Sequence, residues 1–439
     1  MARPSEIDPD NTIFVILSFE GPDQYSQAGG LGVRVTELSE TLASLGYPTH
    51  LIFVGDPREP GTEPRQGGKL MLHRWCQWIS KYYPEGVYAG ENEKLYDFNE
   101  SVPWFVMDEI VKPAAAEGKI VVILGEEWHT AETMPRISDL LFYNGIRNTA
   151  VMAWNANNTM SFHRINWGRL AYTNTLLTVS RYMKHIMWNV GVNPLVVPNG
   201  IPSRLLNGID EEAAARLRNI LGGDLFLFKI GRWDPDKRWN MAVEAAGRLK
   251  RLGVRLKFVV RGGIEPHEGE VLHNARSQGL SVVDVRARGK VRTLDDSLRA
   301  IEQAGDADLY NLKFFVPEDF LRVAYHSADA VLANSGHEPF GLVGLEVMAA
   351  GGLAFTGATG EDYAIPFNNA MVVETSDPEE IVSYITYLMG NREAQMRMRR
   401  EARHTAQNFT WETVIRNLTS KLEYIARNQG LLAGGWSRG

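Results

Sequence analysis

Short, continuous apolar runs alternate with longer amphipathic stretches along most of the chain, the pattern of parallel strands buried on both faces and covered by helices. In the first half the runs predict strands at Ile13–Phe19, His50–Val54, Ile120–Leu124, Ala150–Trp154, Thr175–Val179 and Leu195–Pro198. In the second half they predict strands at Phe226–Ile230, Lys257–Arg261, Ser281–Val285, Leu309–Val316, Ala330–Ala333, Leu353–Phe355 and Met371–Val373. Between the halves Pro198, Asn199, Gly200 and Pro202 punctuate the chain before an Ala- and Glu-rich helix start, which places a linker near Gly200–Asp210. Glu379–Gln407 and Trp411–Asn428 read as helices. The expected fold class is α/β, with two doubly wound, Rossmann-like domains at 1–200 and 201–409 facing across a cleft, and a helix at 410–428. Doubly wound sheets bind ligands beyond the carboxyl ends of their strands, so the loops that follow strands are where function is sought.

Composition narrows this picture. A chain of 439 residues suits two or three domains, and 44% apolar with 23% charged residues is ordinary for a soluble globular protein. Fifty-three acidic against 46 basic side chains give a net charge of -7, the wrong sign for holding nucleic acid phosphates, so no nucleic acid partner is expected. The single cysteine, Cys76, excludes an intrachain disulfide and suits a reducing, cytoplasmic setting. No basic segment leads into an apolar run at the start, so no signal peptide is expected. The apolar runs also fall short of the roughly 20 residues that an integral membrane segment needs.

Three loops carry candidate chemistry. After the first strand, Gly29, Gly30 and Gly32 open a helix, whose first N–H groups and dipole favour an anion. A dinucleotide site would need G-x-G-x-x-G directly after the strand; here Val35 follows Gly30 and Gly32, although Asp56 imitates the ribose-binding acid. After Phe226–Ile230, Arg232 and Lys237 are two cations able to flank a diphosphate and stabilise charge on it as a leaving group. Asp234 and Asp236 imitate a metal-binding pair but are more simply read as surface charge beside Arg232, Lys237 and Arg238, and no metal site is expected. After Ala330–Ala333, Glu338 lies in a loop and Glu346 stands eight residues on, about two turns into a helix that starts at Gly341. Backbone N–H groups near Phe340, Gly341 and Leu342 suit an anion, and a carboxylate can accept paired sugar hydroxyls.

Taken together these segments resemble the retaining, nucleotide-sugar glycosyltransferases of GT-B fold, the family 4 group with its glycogen and starch synthase relatives. The resemblance covers nearly the whole chain: the glycine loop Gly29, Gly30, Leu31; the stretch from Thr178 to Ile201 ending in P-N-G; the G-R-x-x-x-x-K motif met by Gly231, Arg232 and Lys237; and the E-x7-E element met by Glu338 and Glu346. It implies that Arg232 and Lys237 hold the donor diphosphate, that Glu346 binds ribose, and that Glu338 contacts the transferred sugar. The same resemblance makes backbone at Gly29, Gly30, Phe340, Gly341 and Leu342 the rest of the donor site, and brings the last helix back to the first domain. It implies no cofactor, the nucleotide sugar being a co-substrate, and no metal.

The sequence also departs from that family. Gln27 stands where glycogen-type synthases carry lysine, and Glu126, Glu127, Trp128, His129 replace the usual His-Asp-Trp. Trp154 takes the place of a histidine before Asn155. Candidates for the acceptor side are therefore Glu126, Glu127, His129 and His163, with Tyr88 and Tyr96 from an aromatic-rich segment, His73–Phe105. In that segment Trp75, Trp78 and Tyr82 have helical spacing and read as core, whereas Tyr83, Tyr88 and Tyr96 have loop neighbours and suit a carbohydrate or glycosylated acceptor. Two other readings stay open: a nucleotide-sugar binding protein without turnover, and an NAD-dependent oxidoreductase.

Overall fold

The computed structural model describes residues 4–287 and 289–433. The chain divides into two compact units, Met1–Pro202 with Thr410–Gly439, and Ser203–Phe409. Each is a doubly wound α/β layer structure, as the run pattern predicts.

The first unit holds β1 (Thr12–Leu17), β2 (Thr49–Val54), β3 (Thr62–Arg65), β4 (Leu70–Trp75), β5 (Ile120–Glu126), β6 (Ala150–Ala156), β7 (Thr175–Thr178) and β8 (Leu195–Val196) in the order β3-β4-β2-β1-β5-β6-β7-β8. All pairings are parallel except β3 with β4. Ile16 lies opposite both Leu51 and Leu124, and Phe14 through Leu17 are fully buried, which is why this strand reads as an unbroken apolar run. The sheet order reverses between β1 and β5, so the loops after these two strands flank the crevice where such sheets take ligands. The helix Trp411–Asn428 also belongs here. Thr410 caps it, and Trp411, Val414, Ile415, Leu418, Leu422 and Ala426 join a core that includes Phe14, Ile16 and Val122.

The second unit holds β9 (Leu225–Ile230), β10 (Leu256–Arg261), β11 (Val282–Val285), β12 (Leu309–Leu312), β13 (Ala330–Ala333), β14 (Ala354–Thr356) and β15 (Met371–Val372), in the order β11-β12-β10-β9-β13-β14-β15 and wholly parallel. Its reversal falls between β9 and β13. The loops that carry Arg232, Lys237 and Glu338 are the ones that meet there.

Four local expectations need correction. Trp75, Trp78 and Tyr82 do not share a helix face: Trp75 ends β4, Cys76 turns the chain with φ 57°, and the helix Gln77–Ser80 is a single turn. Tyr96 lies on the helix Glu91–Phe105 rather than in a loop. The stretch Glu379–Gln407 is two helices, Pro378–Met389 and Arg392–Ala406, because Asn391 leaves helical geometry and its side chain accepts the Ala394 N–H at 3.0 Å. The strand expected through Val316 ends at Leu312. Among the described residues no helix is long and apolar enough to cross a membrane.

Candidate functional site

In the second unit a cavity of about 440 Å³ opens beyond the carboxyl ends of β9, β10 and β12, lined in part by Gly231, Arg232, Tyr325 and Glu346. Glu346 is half-buried in its wall, on the second turn of the helix Leu342–Ala349, where its carboxylate accepts the Tyr325 hydroxyl at 3.2 Å. Burial raises its pKa to about 7. Lys237 runs beside the same wall, since a Cβ added at Gly231 would stand 3.8 Å from its Cγ. The Lys237 ammonium is paired with Glu338, so the two loops at the sheet reversal are joined through opposite charges. Beneath them the buried Lys229 donates to the Leu332 carbonyl at 2.8 Å and to Asn334 Oδ1 at 2.7 Å, tying β9 to the start of the Glu338 loop. Burial drives its pKa well down.

Gly341 holds φ 79° at the start of the Leu342–Ala349 helix, and a Cβ there would approach Glu361 Cγ to 2.6 Å, so glycine is required on both counts. Phe340 is core: its ring is 2% exposed and packs on Tyr363 and Phe409, leaving only its backbone for a ligand. Asp234 accepts the Asp236 N–H at 2.9 Å and caps the turn Pro235–Lys237. Among the described residues no group of three or more His, Cys, Asp or Glu side chains is arranged to hold a metal ion.

The first unit assembles a second cluster around the β1–β5 reversal. The buried Glu20 carboxylate accepts N–H groups of Ala28 at 3.2 Å, Gly29 at 2.9 Å and Gly32 at 3.0 Å, and the Tyr88 hydroxyl donates to its other oxygen at 2.5 Å. This corrects the picture of an open glycine cradle: an anion arriving at Gly29 meets a carboxylate already there. His129 stacks on Phe19 with ring centroids 4.2 Å apart and bonds Glu91 through Nε2 at 2.9 Å. Burial lowers its pKa to about 4, so the ring is neutral near pH 7.

Glu126 is the bidentate counterion of the buried Arg34, at 3.1 Å through both Nε and Nη2, and also accepts from Asn155 and Asn157, each at 2.9 Å. Its lone pairs are occupied, which suits a structural anion better than a base taking a proton. Glu127 has φ 66° and accepts the N–H groups of Asn157 at 2.6 Å and Asn158 at 3.1 Å, while burial lifts its pKa to about 8. His163 lies exposed on the turn Phe162–Arg164, and Tyr96 is 70% exposed on its helix. The structure therefore brings Tyr88 and His129 together with Glu20, and does not bring His163 or Tyr96 to them. Arg34, Tyr325 and Lys229 carry no spacing signal, because their partners are distant in sequence, and Glu20 meets Gly29 only through the fold of the loop between them.

Residues 210–405 match the family model described as Glycosyl transferases group 1. Two solved structures share the fold. Sucrose-phosphate synthase from Thermosynechococcus elongatus has a TM-score of 0.66 at 16% identity, covering 95% of this chain and 100% of that one. The catalytic domain of starch synthase IV from Arabidopsis thaliana, bound to ADP and acarbose, also has a TM-score of 0.66 at 16% identity, with 95% and 99% covered. The fold is that of the GT-B glycosyltransferases, and the match to the glycosyltransferase family model lies within the second unit. Among characterised sequences the chain is similar to the D-inositol 3-phosphate glycosyltransferase of Frankia alni, 23% identical over 89% of this chain and 93% of that protein. The similarity to the protein of the same name from Geodermatophilus obscurus is 27% over 54% of this chain and spans 49% of that protein's length.

Proposed function

We propose that the protein is a retaining, metal-independent glycosyltransferase that moves a sugar from a nucleotide-diphosphate sugar to a carbohydrate or other hydroxyl acceptor. The observation that carries this reading is the contact of Lys237 with Glu338 beside a cavity walled by Arg232 and Glu346. A donor with its ribose on Glu346 sends its diphosphate toward Arg232 and Lys237. The Lys237 ammonium then exchanges a carboxylate for a phosphate, and Glu338 is released to take sugar hydroxyls. In the transfer the bond from the anomeric carbon to the β-phosphate oxygen breaks, with its electron pair leaving on the phosphate. The acceptor oxygen bonds to the anomeric carbon on the same face, and its proton passes to the departing phosphate. Arg232 and Lys237 stabilise charge that develops there, so a divalent ion is not required. Backbone at Gly341 and Leu342 completes the phosphate contacts within this unit. Tyr88 and His129 are the acceptor-side groups favoured by their shared cluster. We place the reaction in the cytoplasm, where the free, buried Cys76 stays reduced.

The test is multiple-turnover release of nucleoside diphosphate from a panel of nucleotide sugars and carbohydrate acceptors, with the product anomer read by NMR. The expected result is retention of configuration, turnover that survives EDTA, and a loss of about 10² to 10³ in kcat in Lys237→Ala, the usual scale for removing one preorganised group from a developing charge. Activity abolished by EDTA and restored by manganese overturns the metal-independent mechanism. Donor-induced thermal stabilisation without turnover replaces transfer by binding alone, and substrate-dependent nicotinamide absorbance replaces it by redox chemistry.

A further inference from the structure

The far wall of the donor cavity, beyond β10 and β12, includes Arg261 and Phe315, which the transfer step does not use. Arg261 ends β10, and its Nε donates to the Phe314 carbonyl at 2.8 Å. That is the only hydrogen bond its side chain makes among the described residues, so in a residue that lines the cavity both Nη groups keep their donors for a ligand, with Glu265 and Glu268 as charged neighbours. Phe315 lines the same wall, 76% exposed, and stacks on no other ring among the described residues. Val316, Glu318, Leu321 and Arg322 also line the cavity, and backbone comes close beside Arg261: a Cβ at Gly262 would meet the Trp233 indole at 2.0 Å, and one at Gly263 the Glu265 carboxylate at 2.4 Å.

The sheet order sets Arg261 and Phe315 across β9 from the helix that bears Glu346. With ribose on Glu346 and the diphosphate toward Lys237, the remaining ring system of the donor, its base, points to this wall. An exposed flat ring suits any base face. A guanidinium is selective: it only donates, and its paired N–H groups match two adjacent acceptors. Guanine presents O6 and N7 side by side, whereas adenine sets an amino donor beside N7 and uracil sets a ring N–H beside O4.

We propose that this cavity takes a guanine nucleotide, with Arg261 forked onto O6 and N7 and Phe315 against the base face. The assignment rests on the donor-site reading above and names the class of donor, a guanosine-diphosphate sugar. Calorimetric Kd values for GDP, ADP and UDP on the full-length chain and on Arg261→Met and Arg261→Lys test it. The expected result is GDP binding at least about tenfold tighter than ADP or UDP, the scale of one bidentate contact. In Arg261→Met the three affinities should converge to within about threefold of one another. Arg261→Lys keeps a charge but not the fork, and should also lose the preference. UDP or ADP binding as tightly as GDP in the unmodified protein overturns the base assignment and leaves the donor site standing, and so does a GDP preference that survives Arg261→Met. If none of the three nucleotides binds, the donor-site reading fails, and the base assignment with it.

Discussion

At the scale of single residues, Glu346 offers a readout that owes nothing to the acceptor. To accept two ribose hydroxyls its carboxyl must be ionised, and burial holds its pKa near 7 against a usual value of 4.5. Donor affinity should therefore rise between pH 6 and pH 8. In Glu346→Gln that increment should vanish, while ionisation of the nucleotide's own phosphates acts on both proteins alike; equal pH profiles for GDP binding would exclude Glu346 from the site. The sign for stability is opposite. Between about pH 4.5 and 7 the native state holds this proton more tightly than the unfolded chain, so the stabilisation contributed by this group is present at low pH and lost as pH rises through 7. Glu346, Lys237 and Glu338 were legible in the sequence because each sits at a fixed offset from a glycine or from the others. Tyr325, which holds Glu346, was not, because it lies on another helix 21 residues away, and Glu20 was not, because which N–H groups it accepts depends on how the loop to Gly29 folds back.

At the scale of elements, the sequence was most informative where burial is two-sided. β1, β5, β9 and β10 are apolar at nearly every position and their expected bounds lie within two residues of those observed. β3 was missed because Thr62–Arg65 is a short, polar edge strand with no residue fully buried, and β4 because its closing Trp75 fell into a helical spacing with residues beyond it. Edge strands protect themselves with polar side chains, which also hides them from a reading by hydrophobic pattern. The helix Trp411–Asn428 stood out from its capping Thr410 and apolar stripe, and its energetic weight follows from what it buries. Leu422→Ala, at a fully buried position, should cost about 2 to 5 kcal/mol. Hydrogen exchange locates the damage: protection should fall in β1 and β5 and stay unchanged in β9 and β10. Uniform loss in all four strands would mean that the two units unfold as one.

At the scale of the whole molecule, the chain leaves the first unit after Pro202 and re-enters at Thr410. Within that unit the departing and returning segments are bonded together, the Trp411 N–H donating to the Ile201 carbonyl at 3.0 Å, and Gly200 lies so close under the Trp411 ring that a Cβ would stand 2.5 Å from it. The second unit is thus an insertion whose ends are adjacent in its host. A fragment spanning residues 203–409 should fold cooperatively by itself, as should the host with that stretch replaced by a short flexible loop, since closing such a loop costs little. A molten fragment, by circular dichroism and NMR dispersion, would show that the insertion needs its host. The same arrangement dictates an order of events during translation. The strands of the first sheet are complete once Val196 is made, but the helix that packs on Phe14, Ile16 and Val122 is synthesised only after the whole inserted unit. At about 5 to 20 residues per second the ribosome takes on the order of 10 to 40 s to reach it. For that interval the nascent first unit carries a partly uncovered apolar core, shielded only by residues such as Val35, Leu38 and Leu42, while the inserted unit can already close around its own. The unit begun before the other is therefore completed after it, and is the one in need of a chaperone.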